Sequence, residues 1–200
     1  MGFFNNSDII NSKSIFINND LYIRLPKLSD YNQWSQIREE SKSFLQPWEP
    51  SWSANHLSKY YYKELFKSYL LGIRNGNTYP FFIFNMKNEL MGAIILTNLR
   101  RGVSQSGSIG YWIGQKYSNM GYMTSAMHLF LPFVCNKLKL HRIEASCIPN
   151  NIASTLLLEK VGFTREGMAF KYLKINGIWQ DHLLYGILCT NYEMMSKYDC

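Results

Sequence analysis

Apolar and polar positions along the chain follow two periods, and each change of period marks a change of element. Residues 15–25, IFINNDLYIRL, read as two short strands around an Asn-Asn-Asp turn, closed by Pro26. Asp30 then stands where a helix cap belongs, and Trp34, Ile37 and Arg38 recur at helical spacing in a helix over 31–43. A second helical run over 55–74 puts Leu57, Tyr60, Tyr61, Leu65, Tyr69 and Leu70 on one side, and Asn75-Gly76-Asn77 ends it. Apolar runs at 79–84 and 90–96 flank a hairpin-length loop, and a polar, Gly/Ser-containing stretch at 100–107 leads to a further strand. Beyond residue 138 a β-type run over 141–148 stops at Pro149. Asn150 or Asn151 caps the next helix, whose predicted inner face is Ala153, Leu156, Leu157 and Val161, and Gly162 stops it. Residues 163–167, 169–175 and 178–188 are strand-like, with Asn176-Gly177 as the strongest hairpin signal. The tail from Thr190 reads as a short helix or a loose end. This order of elements is that of a mixed α/β fold.

Two stretches depart from simple periodicity. The first is 106–138, SGSIGYWIGQKYSNMGYMTSAMHLFLPFVCNKL: an apolar strand, an Asn/Gly turn, then a helix with Met123, Ala126, Met127, Phe130, Leu131, Val134 and Leu138 on one face. Asn119 and Gly121 tolerate positive φ, so successive N–H groups in the turn can converge on an anion at a helix N-terminus. No dinucleotide or P-loop fingerprint accompanies it, so the turn alone reads either as a phosphate site or as a plain strand-to-helix connection. Pro132 removes one helical hydrogen bond and predicts a kink or a split. The second stretch is 44–52, FLQPWEPSW, whose two prolines and two tryptophans predict neither helix nor paired strand. Its aromatic residues either plug the core from outside or wall a groove.

Composition narrows the class. Two hundred residues, 46% hydrophobic and 16% aromatic, suffice for one well-filled domain over 1–200 and are too few for two of full size. No apolar run approaches the roughly 20 residues of a spanning helix, and the N-terminus lacks the layout of a signal peptide. Met1-Gly2 misses the myristoylation pattern at Asn6. A soluble cytoplasmic protein is expected, with no membrane partner. Cys135, Cys147, Cys189 and Cys200 make no C-x-x-C pair and no zinc spacing with the four histidines, so they read as reduced, mostly buried thiols and no metal is expected. The net charge of +7, with local clusters at Arg100-Arg101 and Lys137 to Arg142, suits an anionic cofactor or a ribosomal partner, or else is a solvated surface. Direct DNA binding is not expected.

Several signals now stand in one order: Leu25-Pro26 with Asp30, the 44–50 loop, Gly110-Tyr111-Trp112-Ile113-Gly114, the 119–124 turn, His141-Arg142-Ile143-Glu144-Ala145, Asn151 with Ser154, Glu159-Lys160-Val161-Gly162-Phe163, Glu166-Gly167, and Asn176-Gly177 with Trp179, Asp181 and His182. Together they resemble the GNAT N-acetyltransferases, and within them the ribosomal-protein-alanine N-acetyltransferases of the RimJ/RimL type, RimJ above all, over about residues 21–188. The resemblance implies a bent mixed sheet of six or seven strands, flanked by helices on both faces, whose fourth and fifth strands (108–114 and 141–148 here) splay apart to take acetyl-CoA. It implies cofactor contacts from Trp112, Ile113, Ser118, Asn119, Met120, Gly121, Tyr122, Met123, Thr124, Asn151 and Ser154. Pro47, Trp48, Glu49 and Asp181 become substrate-binding candidates, and the implied partner is the N-terminus of a ribosomal protein or the ribosome itself, with the enzyme a monomer or homodimer. Two departures are visible. Lys116 and Asn119 replace the usual Gln/Arg and first Gly of the turn, and Leu158 stands where many relatives carry a tyrosine acid; Ser154 matches the serine of the RimJ/RimL branch.

Acetyl transfer needs a neutral amine, a stabilised oxyanion and a donor for the leaving thiolate. An α-amine of pKa ~7.7–8.0 is about a tenth neutral at pH 7, whereas a lysine near ~10.4 is neutral to well under ~0.1%, so an N-terminal acceptor needs only modest base help. The backbone N–H of Ile113 is the expected oxyanion donor, and Ser154 the expected hydrogen-bond donor or proton relay to sulfur; its bland role is capping. Asn151 caps the helix, holds the cofactor, or does both. The branch's glutamate base falls at Leu173 here, leaving Glu49, Asp181 or ordered water as base candidates, while His182 reads as a histidine on a sheet surface. The alternative functions are transfer to a small amine such as a polyamine or aminoglycoside, and a non-catalytic ribosome-assembly module.

Overall fold

A computed structural model describes residues 15–190. One sheet of eight strands runs through it in the order β1-β2-β3-β4-β5-β6-β8-β7, one or two strands more than expected. The strands are β1 (Ile15–Ile17), β2 (Leu21–Arg24), β3 (Tyr79–Asn85), β4 (Leu90–Arg100), β5 (Ser106–Ile113), β6 (Arg142–Cys147), β7 (Thr164–Ile175) and β8 (Ile178–Leu188). Every neighbouring pair is antiparallel except β5 with β6. Among the described residues five complete α-helices accompany the sheet: α1 (Tyr31–Glu40), α2 (Lys42–Leu45), α3 (Lys59–Arg74), α4 (Tyr122–Pro132) and α5 (Ile152–Val161). Among the described residues no helix is long and apolar enough to cross a membrane.

The alternation of side chains along the strands divides the core in two. On one face Phe81, Ile83 and Leu96 pack with Met127, Phe130 and Leu131 of α4 and with Leu158 and Val161 of α5. On the other, Phe82, Phe84 and Ala93 pack with Trp34 and Ile37 of α1 and Tyr62 of α3. Trp34, Ile37 and Arg38 are all buried, as their spacing predicts.

Several local expectations change. The carboxylate of Asp30 does not cap α1; it is drawn back to the Arg24 guanidinium at 2.7 and 2.8 Å and to the N–H of Lys27, an ion pair that outcompetes one capping bond. The first helix ends at Glu40, and part of the tryptophan loop is helical: α2 and a 3-10 turn at Gln46–Trp48 fit there because Pro47 is tolerated in a first turn. Helix α3 starts at Lys59, where Ser58 accepts the N–H of Tyr61; this phase leaves Tyr60 exposed and buries Tyr62. In α5 the buried positions are Leu158 and Val161, and Leu156 is exposed, since the helix rests on the sheet along the row through Ser154. Past Pro132 the α4 helix continues as a π-helical turn, Phe133–Lys137, which keeps Val134 buried. The two runs expected over 163–167 and 169–175 merge into one bulged strand, β7, which starts at Thr164.

Cys135 and Cys189 form a disulfide, which corrects their reading as free thiols; 54 residues separate them, so no local spacing announces the pair. Cys147 is free and buried. The expectations for Met1-Gly2, for the tail beyond Thr190 and for Cys200 fall outside the described residues.

Candidate active site

The site begins where β5 and β6 part. The two strands pair only at Ser106 with Arg142, Gly107 with Ile143 and Ser108 with Glu144; beyond that Ile109 to Ile113 and Ala145 to Cys147 diverge, leaving a slot. The N–H of Gly114 donates to the Met91 carbonyl on β4 at 2.8 Å. Successive backbone groups of a strand point to opposite sides, so the N–H of Ile113 points away from β4 and into the slot. An oxyanion donor needs an N–H free of the ladder in this way.

Parity also sorts the side chains. Trp112 faces the α1 side, where the guanidinium of Arg38 lies 4.9 Å from its ring. Tyr111 turns to the α5 side, and its hydroxyl lies 2.6 Å from Oγ of Ser154. The N–H of Ser154 donates to Asn151 Oδ1 at 3.1 Å, so Asn151 does cap α5 and in doing so fixes the first turn that carries Ser154. Burial pushes the Tyr111 phenol well above its ordinary pKa, despite the opposing effect of the hydrogen bond it shares with Ser154. It therefore stays protonated across the neutral range.

The turn before α4 has the backbone the sequence predicts: φ is +58° at Asn119 and +81° at Gly121. Gly121 is the N-cap, and with no side chain it leaves the N–H groups of Tyr122, Met123 and Thr124 without a capping acceptor. A Cβ at Gly121 would meet nothing within 4 Å, so the space over the helix end is open. Ser118 spends its hydroxyl on the Gln115 carbonyl, Met120 is exposed, and the Met123 side chain is buried in the core. An open helix end with uncommitted donors beside a slot of strand backbone fits the pyrophosphate and pantetheine arm of acetyl-CoA, the group the resemblance implies.

On the α1 side the tryptophan loop is organised by one buried ion pair. Arg38 meets both Glu49 oxygens, at 3.2 and 2.5 Å, and Glu49 also accepts Trp52 Nε1 at 2.8 Å. The Arg38 guanidinium lies 4.6 Å from the ring centre of Trp52 and within 3.2 Å of Nε2 of His56. Burial, and then the Arg38 charge, lower the His56 pKa, so its neutral ring accepts from Arg38. The loop is tied to the far hairpin, since the N–H of Asn176 donates to the Glu49 carbonyl at 2.9 Å. Glu49 thus ties the loop to α1 and to the hairpin, while Pro47 and Trp48 are exposed beside it. Asp181 is engaged on β7, accepting the N–H of Lys171 at 2.8 Å.

Sequence reasoning singled out neither Tyr111 nor Arg38 as functional, although it named Glu49, the partner of Arg38. Tyr111 was legible in principle, as it shares a strand face with Ile113 two residues on. Arg38 carried no signal beyond its helical phase.

Residues 20–164 match the family described as acetyltransferase (GNAT) domain. The chain is 31% identical over 169 residues to the probable N-acetyltransferase YjcK of Bacillus subtilis, covering 84% of this chain and 93% of that protein. It is 32% identical over 169 residues to the [ribosomal protein uS5]-alanine N-acetyltransferase of Escherichia coli, covering 82% and 85%. Among solved structures, Mycobacterium smegmatis RimJ in complex with CoA-disulfide superposes with a TM-score of 0.80 at 29% identity, covering 88% of this chain and 89% of that one.

Proposed function

The chain belongs to the GNAT acetyltransferase family, and from that premise we propose that it transfers the acetyl group of acetyl-CoA to the α-amine of a protein N-terminus, that of a ribosomal protein beginning with alanine. The observation that carries this reading is the slot, with the Ile113 N–H on one wall and the Tyr111–Ser154 hydroxyl pair beside it. The turn from Ser118 to Thr124 would hold the pyrophosphate with backbone N–H groups, and Trp112, Asn151 and Ser154 would border the arm that carries the thioester. The bound thioester supplies an activated acetyl group. The chain's own contribution is to place the Ile113 N–H where the carbonyl oxygen gains charge, and to hold a hydroxyl where the sulfur gains it.

The acceptor side favours a peptide. Glu49, the acid of the tryptophan loop, is neutralised by Arg38, so it offers no free carboxylate to a polyamine. Trp48, Leu173 and Ile178 leave apolar surface exposed around the loop and hairpin that meet at Asn176. The Escherichia coli relative is named for alanine acetylation of ribosomal protein uS5, which supports the same substrate class. The test is mass spectrometry of ribosomal proteins incubated with enzyme and acetyl-CoA. A gain of one acetyl group on an N-terminal alanine is expected; acetylated lysines or an acetylated polyamine with untouched N-termini would overturn the reading.

A further inference from the structure

His182 is 3% exposed, a buried titratable side chain on β8 to which the hydroxyl pair and the oxyanion donor give no role. Its placement corrects the sheet-surface reading. Leu183 pairs with Cys147, the last residue of β6, and Tyr185 reaches Glu159 on α5 with its hydroxyl at 3.2 Å. Odd positions of β8 therefore face α5, and His182 projects to the opposite face, the one Trp112 occupies on β5. It stands one residue beyond the Leu183–Cys147 pair, at the end of β6 that borders the slot.

Two features of the backbone present this ring in one form. Nδ1 lies 3.0 Å from the carbonyl oxygen of Gln180, and since a carbonyl only accepts, the neutral ring carries its hydrogen on Nδ1 and its lone pair on Nε2. Across the ladder β7 bulges: Ala169 pairs with His182 and Leu173 with Gln180, so a step of four residues on β7 faces a step of two on β8. Lys171 takes a φ of +47° inside the bulge, and its N–H is held by Asp181. The result sets the Tyr172 ring edge-on to the imidazole, with 5.9 Å between centroids. A regular hairpin would need neither the extra residues nor the positive φ. Bulges of this kind re-aim side chains beside functional sites.

We propose that Nε2 of His182 accepts the proton lost by the acceptor amine during acetyl transfer, an inference that rests on the acetyltransferase reading above. The amine lone pair forms the N–C bond to the acetyl carbon and the carbonyl π pair moves to oxygen. One N–H bond then breaks as Nε2–H forms. The oxygen pair returns, the C–S bond breaks, and the sulfur leaves with its electron pair and takes a proton delivered past Ser154. His182 returns its proton to solvent, so the sum is amine plus thioester to amide plus thiol.

His182→Asn is the informative variant, because its amide N–H can still meet the Gln180 carbonyl while no basic nitrogen remains. Turnover should fall roughly 100-fold or more, with the acetyl-CoA dissociation constant and melting temperature near those of the wild type. In His182→Ala, added imidazole should restore part of the lost rate, a recovery a purely structural role would not show. Turnover of His182→Asn within about three-fold of the wild type, or no imidazole rescue of a folded His182→Ala, overturns the proposal. Both variants are assayed on the acceptor the wild type acetylates. If that acceptor is not a peptide N-terminus the substrate reading falls, and the same variants still decide the role of His182.

Discussion

The hydroxyl of Tyr111 lies 2.6 Å from Oγ of Ser154, joining β5 to the first turn of α5 across the mouth of the slot. Leu158 occupies the place where many relatives carry a tyrosine acid, and it is buried in the core. A phenol thus reaches the neighbourhood from the facing strand instead. With its pKa pushed up by burial, Tyr111 is a poor terminal acid for a thiolate but a dependable hydrogen-bond donor. When it donates to Oγ of Ser154, the serine O–H is free to turn toward the sulfur.

Removing either hydroxyl should therefore act on turnover. Ser154→Ala is expected to lower kcat roughly ten- to a hundred-fold, the equivalent of about 1.5–3 kcal/mol for a hydrogen bond to developing charge, with acetyl-CoA affinity nearly constant. Tyr111→Phe should cost roughly three- to ten-fold, and the double variant should be no slower than Ser154→Ala, because the tyrosine acts through the serine. Steady-state kinetics of the three variants would show this. A Ser154→Ala protein that melts earlier yet turns over normally would make the residue a helix-start element only.

The turn before α4 makes a binding prediction. Gly121 at φ +81° caps the helix, and Asn119 at φ +58° pays a small strain that glycine would relieve. Gly121→Val puts a β-branched residue where positive φ costs about 1–3 kcal/mol and where the pyrophosphate needs close approach, so acetyl-CoA should bind roughly ten-fold or more weakly. Asn119→Gly should bind within about three-fold of the wild type. Titration calorimetry separates the two; equal affinities would remove the phosphate role from this turn.

Local chemistry was legible in the sequence where one residue type answers one backbone need. Gly121, Asn119 and the Asn176-Gly177 turn all take the positive φ their identities suggest, and Pro132 ends regular α4. The parting of β5 from β6 followed from the resemblance. What stayed hidden depends on side chains that meet only after folding: Tyr111 with Ser154 is 43 positions apart, and Cys135 with Cys189 is 54. Helix phase failed at Tyr60 and Leu156, where one step of rotation exchanges an exposed for a buried residue and propensity does not discriminate.

The disulfide carries its own prediction. Peptide mapping of the native protein at pH 8 without reductant should find Cys135 and Cys189 in one cross-linked pair. Cys147 should be alkylated slowly, since burial raises its pKa and keeps the thiol protonated there. Reduction should lower stability by about 2–4 kcal/mol, as expected for closing a long loop. Rapid labelling of Cys135 in the unreduced, folded protein would contradict the pairing.

Glu49 poses the last question, since a carboxylate in an acceptor loop can be a base or a strut. The side chains of Arg38 and Glu49 are 6% and 19% exposed, their contact is bidentate, and Trp52 Nε1 adds a third bond to the same carboxylate. A base so engaged would have to give up its bonds to Arg38 and Trp52 before its oxygens could face an acceptor amine. Glu49→Gln leaves Arg38 buried among Trp34, Trp52 and Trp112 without its counter-charge. Breaking such a pair costs about 3 kcal/mol, and melting should fall by roughly 6–12 °C for a domain of this size. Arg38→Met should cost a similar amount, and the double variant Arg38→Met/Glu49→Met less than the sum, because no unpaired charge remains. In assays below the melting transition, loosening the loop should raise the KM for the acceptor and leave the acetyl-CoA dissociation constant unchanged. A base role predicts the reverse pattern for Glu49→Gln: a large fall in kcat with melting temperature and acceptor KM intact. Thermal melts and acceptor kinetics on these three proteins decide between them.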